Sequence, residues 1–239
     1  MMRSALLLFF TAAALTIPTA GTSAKPPAPS CAGATATIVG TSGADVINGT
    51  PGPDVIVGLG GDDTIVGDLG DDVICGGTGD DVLSGHGGDD QLYGQQGDDV
   101  LDGGVGGCCP AAPNTGDDEL FGGPGSDILH SSDHPTDGNT MHGNQGDDEL
   151  YAWSGGEAFG DNGDDVLYQY ARDATLDGGN GDDQLTDWND GVTNETVILL
   201  GGRGDDTLTS LDSASTSTLD GASGTDSCTG GDTHIACEP

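Results

Sequence analysis

The chain has 239 residues, 45 of them Gly, and only 4% are aromatic, which excludes a conventional globular core. It carries 41 acidic against 4 basic residues, a formal charge of −37. That balance excludes nucleic acid and anionic membrane surfaces as partners and makes cations the natural ones.

Residues 1–24 read as a secretory leader. Met1-Met2-Arg3 is a short basic start, and Ala5 to Ile17 is an apolar run of h-region length. Thr22-Ser23-Ala24 offers a small-residue cleavage site, so the mature chain is expected to be secreted and to begin near Lys25. The run is too short for a membrane span. Residues 25–39 follow as a Pro-rich linker and an N-terminal cap ending in the short strand Thr37-Ile38-Val39.

From Gly40 to Asp102 the chain is seven nine-residue units in unbroken phase: GTSGADVIN, GTPGPDVIV, GLGGDDTIV, GDLGDDVIC, GGTGDDVLS, GHGGDDQLY and GQQGDDVLD. Positions 1 and 4 are always Gly, position 6 is always Asp, and position 8 is always Ile or Leu. High Gly and high charge alone would suggest disorder, but a fixed period signals a solenoid. Positions 1–6 have turn composition; positions 7–9 predict a three-residue strand with its central side chain inward. Two units then make one flattened coil of 18 residues. Coils stack through parallel strands about 4.8 Å apart around a thin column of Ile and Leu.

Beyond Asp102 the pattern loosens. Gly103–Ala112 reads as a degenerate unit with Cys108 in the Asp position, and Pro113–Phe121 as a restored one with Asp118. Residues 40–121 are therefore expected to form a regular region. Residues 122–229 form an irregular one with a single good unit per coil, those holding Asp127, Asp148, Asp165, Asp183, Asp206 and Asp226. Residues 230–239 break the repeat and read as a C-terminal cap.

The units resemble the GGxGxDxUx nonapeptides of the RTX calcium-binding repeats. The resemblance implies an all-β fold: a right-handed parallel β-roll (a β-solenoid) with 18 residues per coil. It also implies Ca²⁺ between turns stacked on one side, held by Gly-rich turn carbonyls and the position-6 Asp carboxylates. The implied ligands are Asp45, Asp54, Asp63, Asp72, Asp81, Asp90, Asp99, Asp118, Asp127, Asp148, Asp165, Asp183, Asp206 and Asp226. The chemistry agrees. Ca²⁺ takes six to eight oxygens in a tolerant geometry, Mg²⁺ dehydrates reluctantly, and the repeats offer zinc no His or Cys. Asp stacked above Asp at about 5 Å is repulsive unless a cation lies between. Position-5 Asp is expected to add outer charge or a secondary contact.

Counting parity places Asp54, Asp72 and Asp90 on one side, followed by a gap at Cys108 and then Asp127 to Asp226. The other side would run from Asp45 to Asp118 and then lose its ladder, leaving a free edge for Trp153, Trp188, Tyr170 and Phe159. These aromatics are expected to cover the edge of the core, with a glycan or protein partner on the irregular face as the alternative. His130, His134 and His142 are expected to be solvated loop residues rather than a metal cluster. Six cysteines in an exported chain favour disulfides. Cys228–Cys237 is the expected pair. Cys31 and Cys75 lie roughly 10 Å apart in a strict stack, too far to bridge unless the N-terminal tail folds back. Cys108 and Cys109 bridge each other or take those two as partners. No G-x-S-x-G or H-E-x-x-H motif is present. The expectation is a monomeric, non-enzymatic calcium-binding protein that calcium folds.

Overall fold

The computed structural model describes residues 28–104, 116–131, 138–153, 155–170, 173–188, 196–211, 216–231 and 233–237. Residues 1–24, expected to be a leader, and Cys108, Cys109, His134 and Arg172 lie outside them. The described residues form strands and no helix, so none is long and apolar enough to cross a membrane.

Two parallel sheets face each other. A ten-stranded sheet runs from Val46–Asn48 to Ser227–Thr229, and an eleven-stranded sheet from Ile38–Val39 to Thr233–Ile235. The chain alternates between them, so each strand pairs with the one a coil away. Ile47 lies beside Ile65, and Ile56 beside Ile74. The protein is a parallel β-solenoid with an 18-residue coil. Position 8 builds the core as its period requires: Ile56, Ile65, Ile74, Leu83, Leu92 and Leu101 are fully buried. Leu120, Leu129, Met141, Leu150, Leu167, Leu176 and Leu185 continue the column.

Some strands keep the expected three residues, as Val46–Asn48 and Val100–Asp102 do, but many are longer. Thr64–Leu69 and Val82–Gly87 run on through the first three positions of the following turn. They stay in register there, Asp68 beside His86. This is possible because position 2 adopts positive φ, +85° at Asp68 and +77° at His86, which turns the chain without breaking the coil-to-coil hydrogen bonds.

The parity expected after Asp102 is corrected. Val100–Asp102 pairs directly with Ile128–His130, and Gln91–Tyr93 with Glu119–Phe121. Residues 103–121 therefore make one half-coil, not two. Gly103 acts as position 1 and Asp118 as position 6 of a single unit: a Cβ on Gly103 would sit 2.5 Å from Asp118 Oδ2. In a regular unit those positions are five residues apart, as in Gly58 and Asp63. Here they are fifteen apart, so ten further residues, Cys108 and Cys109 among them, lie in sequence between position 1 and position 6.

The N-terminal tail does fold back. Ser30–Cys31 and Ala34–Thr35 form a small antiparallel hairpin against the outer face of the eleven-stranded sheet. Cys31 is buried there with Val57 and Cys75, backed by Val55, Val73 and Tyr93. Cys31 and Cys75 form a disulfide with Cα atoms 5.7 Å apart, spanning 44 residues. Cys228 and Cys237 pair as expected. A loop of this length gives the Cys31–Cys75 bridge about 4 kcal/mol in the chain-entropy account. Cys31→Ser is expected to lower the urea midpoint of the calcium-loaded protein accordingly; an unchanged midpoint would assign the hairpin no part in holding the first coils.

Candidate metal centre

From Asp63 onward, the position-6 Asp of the regular turns uses its two carboxylate oxygens differently. Oδ1 accepts the backbone N–H of the position-6 residue one coil earlier. Asp63 Oδ1 takes Asp45 N–H at 2.7 Å, and Asp81 takes Asp63 at 2.8 Å. The chain of bonds continues through Asp99, Asp127, Asp148, Asp165, Asp183, Asp206 and Asp226 without a missing member. This unbroken ladder lies on the turns that lead into the ten-stranded sheet. The second ladder, on the opposite turns, links Asp54, Asp72, Asp90 and Asp118. It ends at Asn139, whose Oδ1 accepts Asp118 N–H at 2.8 Å. The expected pairing of Asp90 with Asp127 across a gap at Cys108 is thus replaced by two ladders, neither of which is interrupted before it ends.

Oδ2 points into its own turn. Position 1 must be Gly because its Cα stands against that oxygen: a Cβ on Gly58 would lie 2.2 Å from Asp63 Oδ2 and 2.5 Å from Gly76 O. Position 4 is Gly for a second reason. At Gly97, φ is +137° and a Cβ would fall 1.9 Å from the Gly79 carbonyl of the coil before. In both places a backbone carbonyl of a neighbouring coil occupies the space a Cβ would need.

Eleven of these Oδ2 atoms are buried with no hydrogen-bond partner: those of Asp63, Asp72, Asp81, Asp90, Asp99, Asp127, Asp148, Asp165, Asp183, Asp206 and Asp226. A buried charged oxygen without a partner is costly, and a cation removes that cost. The electrostatics point the same way. Burial pushes the carboxyls of Asp72, Asp81, Asp127 and Asp165 up to about 6, and those of Asp99 and Asp183 to about 7; Asp90 and Asp148 reach about 8. Nearby carboxylates add to the rise in each case.

The first two turns differ. Thr41 donates both its N–H (2.6 Å) and its hydroxyl (2.9 Å) to Asp45 Oδ2. Thr50 does the same for Asp54, at 2.8 and 2.9 Å. Burial raises the Asp54 carboxyl, but the Thr50 bonds and a third from the Thr37 hydroxyl outweigh it and hold the group below the usual carboxylate range. The sequence carried this signal as Thr at position 2 of GTSGAD and GTPGPD.

Position-5 Asp forms a second, exposed ladder of opposite sense, with Asp62 Oδ1 accepting Asp80 N–H and Asp80 Oδ1 accepting Asp98 N–H. The second carboxylate ladder ends through a paired exchange. Down its column, position 6 becomes Asn139, Gly156, Ala174, Val197 and Ser217. The column that held the facing glycines becomes Ser131, Ala152, Gln169, Asp187 and Ser210. Where the carboxylate is lost, its Gly is no longer needed, and side chains fill the turn. Ser210 Oγ bonds both Asp187 Oδ2 and Ser217 Oγ at 2.9 Å.

His130 and His142 are not solvated loop residues. His130 stacks on Tyr151 and His142 on Phe121 and Phe159, on different sheets. Among the described residues no three His, Cys, Asp or Glu side chains come close enough to hold a metal by themselves. A cation in these turns would be held by single carboxylates from stacked coils together with backbone carbonyls, a donor set that suits Ca²⁺.

A parallel β-solenoid with orphaned carboxylate oxygens facing carbonyl-lined turns is a calcium-roll architecture. The chain belongs to the RTX calcium-binding nonapeptide repeat family, whose model matches residues 39–74, 76–107, 114–133, 136–156, 170–188 and 198–214. No curated protein matches the chain significantly. The cofactor of these repeats is Ca²⁺.

Proposed function

We propose that this is a secreted, non-catalytic calcium-binding scaffold whose coils are ordered by the ions they bind. The observation that carries the reading is the set of buried, unpartnered Oδ2 atoms, each set against the position-1 Gly of its own turn. Ca²⁺ would be held by Asp63, Asp72, Asp81, Asp90, Asp99, Asp127, Asp148, Asp165, Asp183, Asp206 and Asp226, with Asp118 against Gly103 in the same column. Asp45 and Asp54 close the N-terminal end through Thr41 and Thr50 and need no ion. Without calcium the carboxylates repel and the Gly-rich chain gains entropy from disorder; with it, binding free energy becomes folding free energy. Two disulfides in a chain of this kind support an oxidising, extracellular setting.

The aromatic edge at Trp153 is not the favoured ligand surface. Trp153 and Tyr170 stack face to face, 4.3 Å between centroids, so these two rings cover each other's inner faces.

Calorimetric calcium titration tests the ligand assignment. Asp99→Asn is expected to lower the number of ions bound, whereas Asp54→Asn leaves it unchanged. Equal losses in both variants would contradict it.

A further inference from the structure

The outer face of the eleven-stranded sheet carries a row of rings. Tyr93, Phe121, His142 and Phe159 stack in register, with centroids 5.0, 5.3 and 4.7 Å apart and planes within 10° of parallel. The row stops at Phe159. Its neighbour on the next coil is Asp177, so the far face of the Phe159 ring carries no ring.

Side chains also vanish beside this point. Position 2 of successive turns runs Asn144, Asp161, Gly179, Gly202 and Ala222. The two consecutive glycines leave an open cleft of about 470 Å³, bounded by Phe159, Asp161, Asp177, Asn180, Arg203 and Ser223. Two coils span roughly 10 Å, enough for one six-membered ring.

The cleft is chemically mixed. Asp161 is fixed in place: its Oδ2 contacts His142 Nδ1 at 2.9 Å and accepts from Asn144 Nδ2 at 3.0 Å. Asp177 is half-buried one coil further on. Arg203 stands on the rim and makes no ion pair among the described residues. Each simple ligand class meets an obstacle here. A metal ion finds no group of three ligating side chains among the described residues. An anion meets a chain of charge −37, and an organic cation meets the Arg203 guanidinium. A wholly apolar ligand would strip water from two carboxylates and a guanidinium. A neutral ring with one apolar face and hydroxyls around its edge satisfies every group. Its C–H face lies on Phe159, its hydroxyls donate to Asp161 and Asp177, and a hydroxyl oxygen accepts from Arg203.

We propose that this cleft binds one neutral pyranose residue, seated against Phe159, which lines it, between Asp161, Asp177 and Arg203. The site rests on the calcium reading, because the regular turns form its floor.

The test is a titration of the ¹⁵N-labelled, calcium-loaded full chain with the methyl glycosides of glucose, galactose and mannose. At least one is expected to shift the Gly179 and Gly202 amide signals saturably in the millimolar range. Asp177→Phe extends the ring stack and covers Phe159, and is expected to weaken binding roughly tenfold or more. Arg203→Ala, an exposed side chain, is expected to weaken it as well without touching the core. No shift with any of the three sugars, or full binding in both variants, overturns the site. The far-UV spectrum of the same samples reports separately on the calcium reading: a wild-type sample in calcium that lacks β signal fails that reading rather than the sugar site.

Discussion

Asp165→Asn is expected to move stability in opposite directions with and without calcium. The Asp165 Oδ1 accepts Asp148 N–H at 2.8 Å, and an Asn oxygen accepts equally well, as Asn139 does for Asp118 at the same distance. What the substitution removes is the charge on a buried Oδ2 that has no other partner. On the proposed assignment that charge binds an ion in calcium, and an ion held at a hundredfold excess over its dissociation constant contributes about 2.7 kcal/mol. Losing it should lower the urea midpoint. Without calcium the same charge is repelled by Asp147, Asp161 and Asp164 and is poorly solvated, so its removal should increase residual β signal. Urea unfolding in calcium and far-UV amplitude without it measure the two arms. A decrease in both would mean that the Asp serves only the hydrogen-bond ladder.

The calcium-free chain is expected to gain order on acidification. Burial pushes eight ladder carboxyls, those of Asp72, Asp81, Asp90, Asp99, Asp127, Asp148, Asp165 and Asp183, up to about 6 to 8 in the fold, above the ordinary value near 4. A raised folded value means that the fold prefers the protonated form. Its contribution is complete below about pH 4 and is lost as pH rises through 6 to 8. In resin-depleted buffer, β signal should therefore increase from pH 8 down to pH 5. In calcium the dependence reverses, since protons compete for the same oxygens and more calcium is needed at low pH. A calcium-free chain whose order grows with rising pH would contradict the assignment of these carboxyls.

Much of this was legible because the nine-residue period fixes which side chain faces where. Position 8 as core, position 6 as the ladder and the cap bridge Cys228–Cys237 all follow from spacing. The insertion before Asp118 was not legible. Ten extra residues look the same in sequence whether they form a degenerate half-coil or a loop inside a turn, and only the pairing of Val100 with Ile128 decides. That one ambiguity exchanged the two ladders. The Cys31–Cys75 bridge was hidden for a related reason: the hairpin lies outside the repeat, where the coil metric does not apply. The stacked histidines were misjudged because His130 and His142 were assigned to loops, whereas both occupy outward strand positions beside other rings. The loss of Gly wherever Asp is lost was present in the sequence. Its meaning needed the contact between the position-1 Cα and Oδ2.

The roll as described has a core only one aliphatic side chain deep on each half-coil, with a buried carboxylate beside nearly every one on the unbroken ladder. On the proposed reading, its order depends on the ions that neutralise those carboxylates. Far-UV circular dichroism of the disulfide-intact chain, followed from full calcium depletion to millimolar calcium at pH 7.5, tests this most directly. The account predicts a largely disordered spectrum at depletion and a cooperative, saturable rise in β signal on adding Ca²⁺, with no such rise in equimolar Mg²⁺. A chain already fully β-structured at depletion would contradict it.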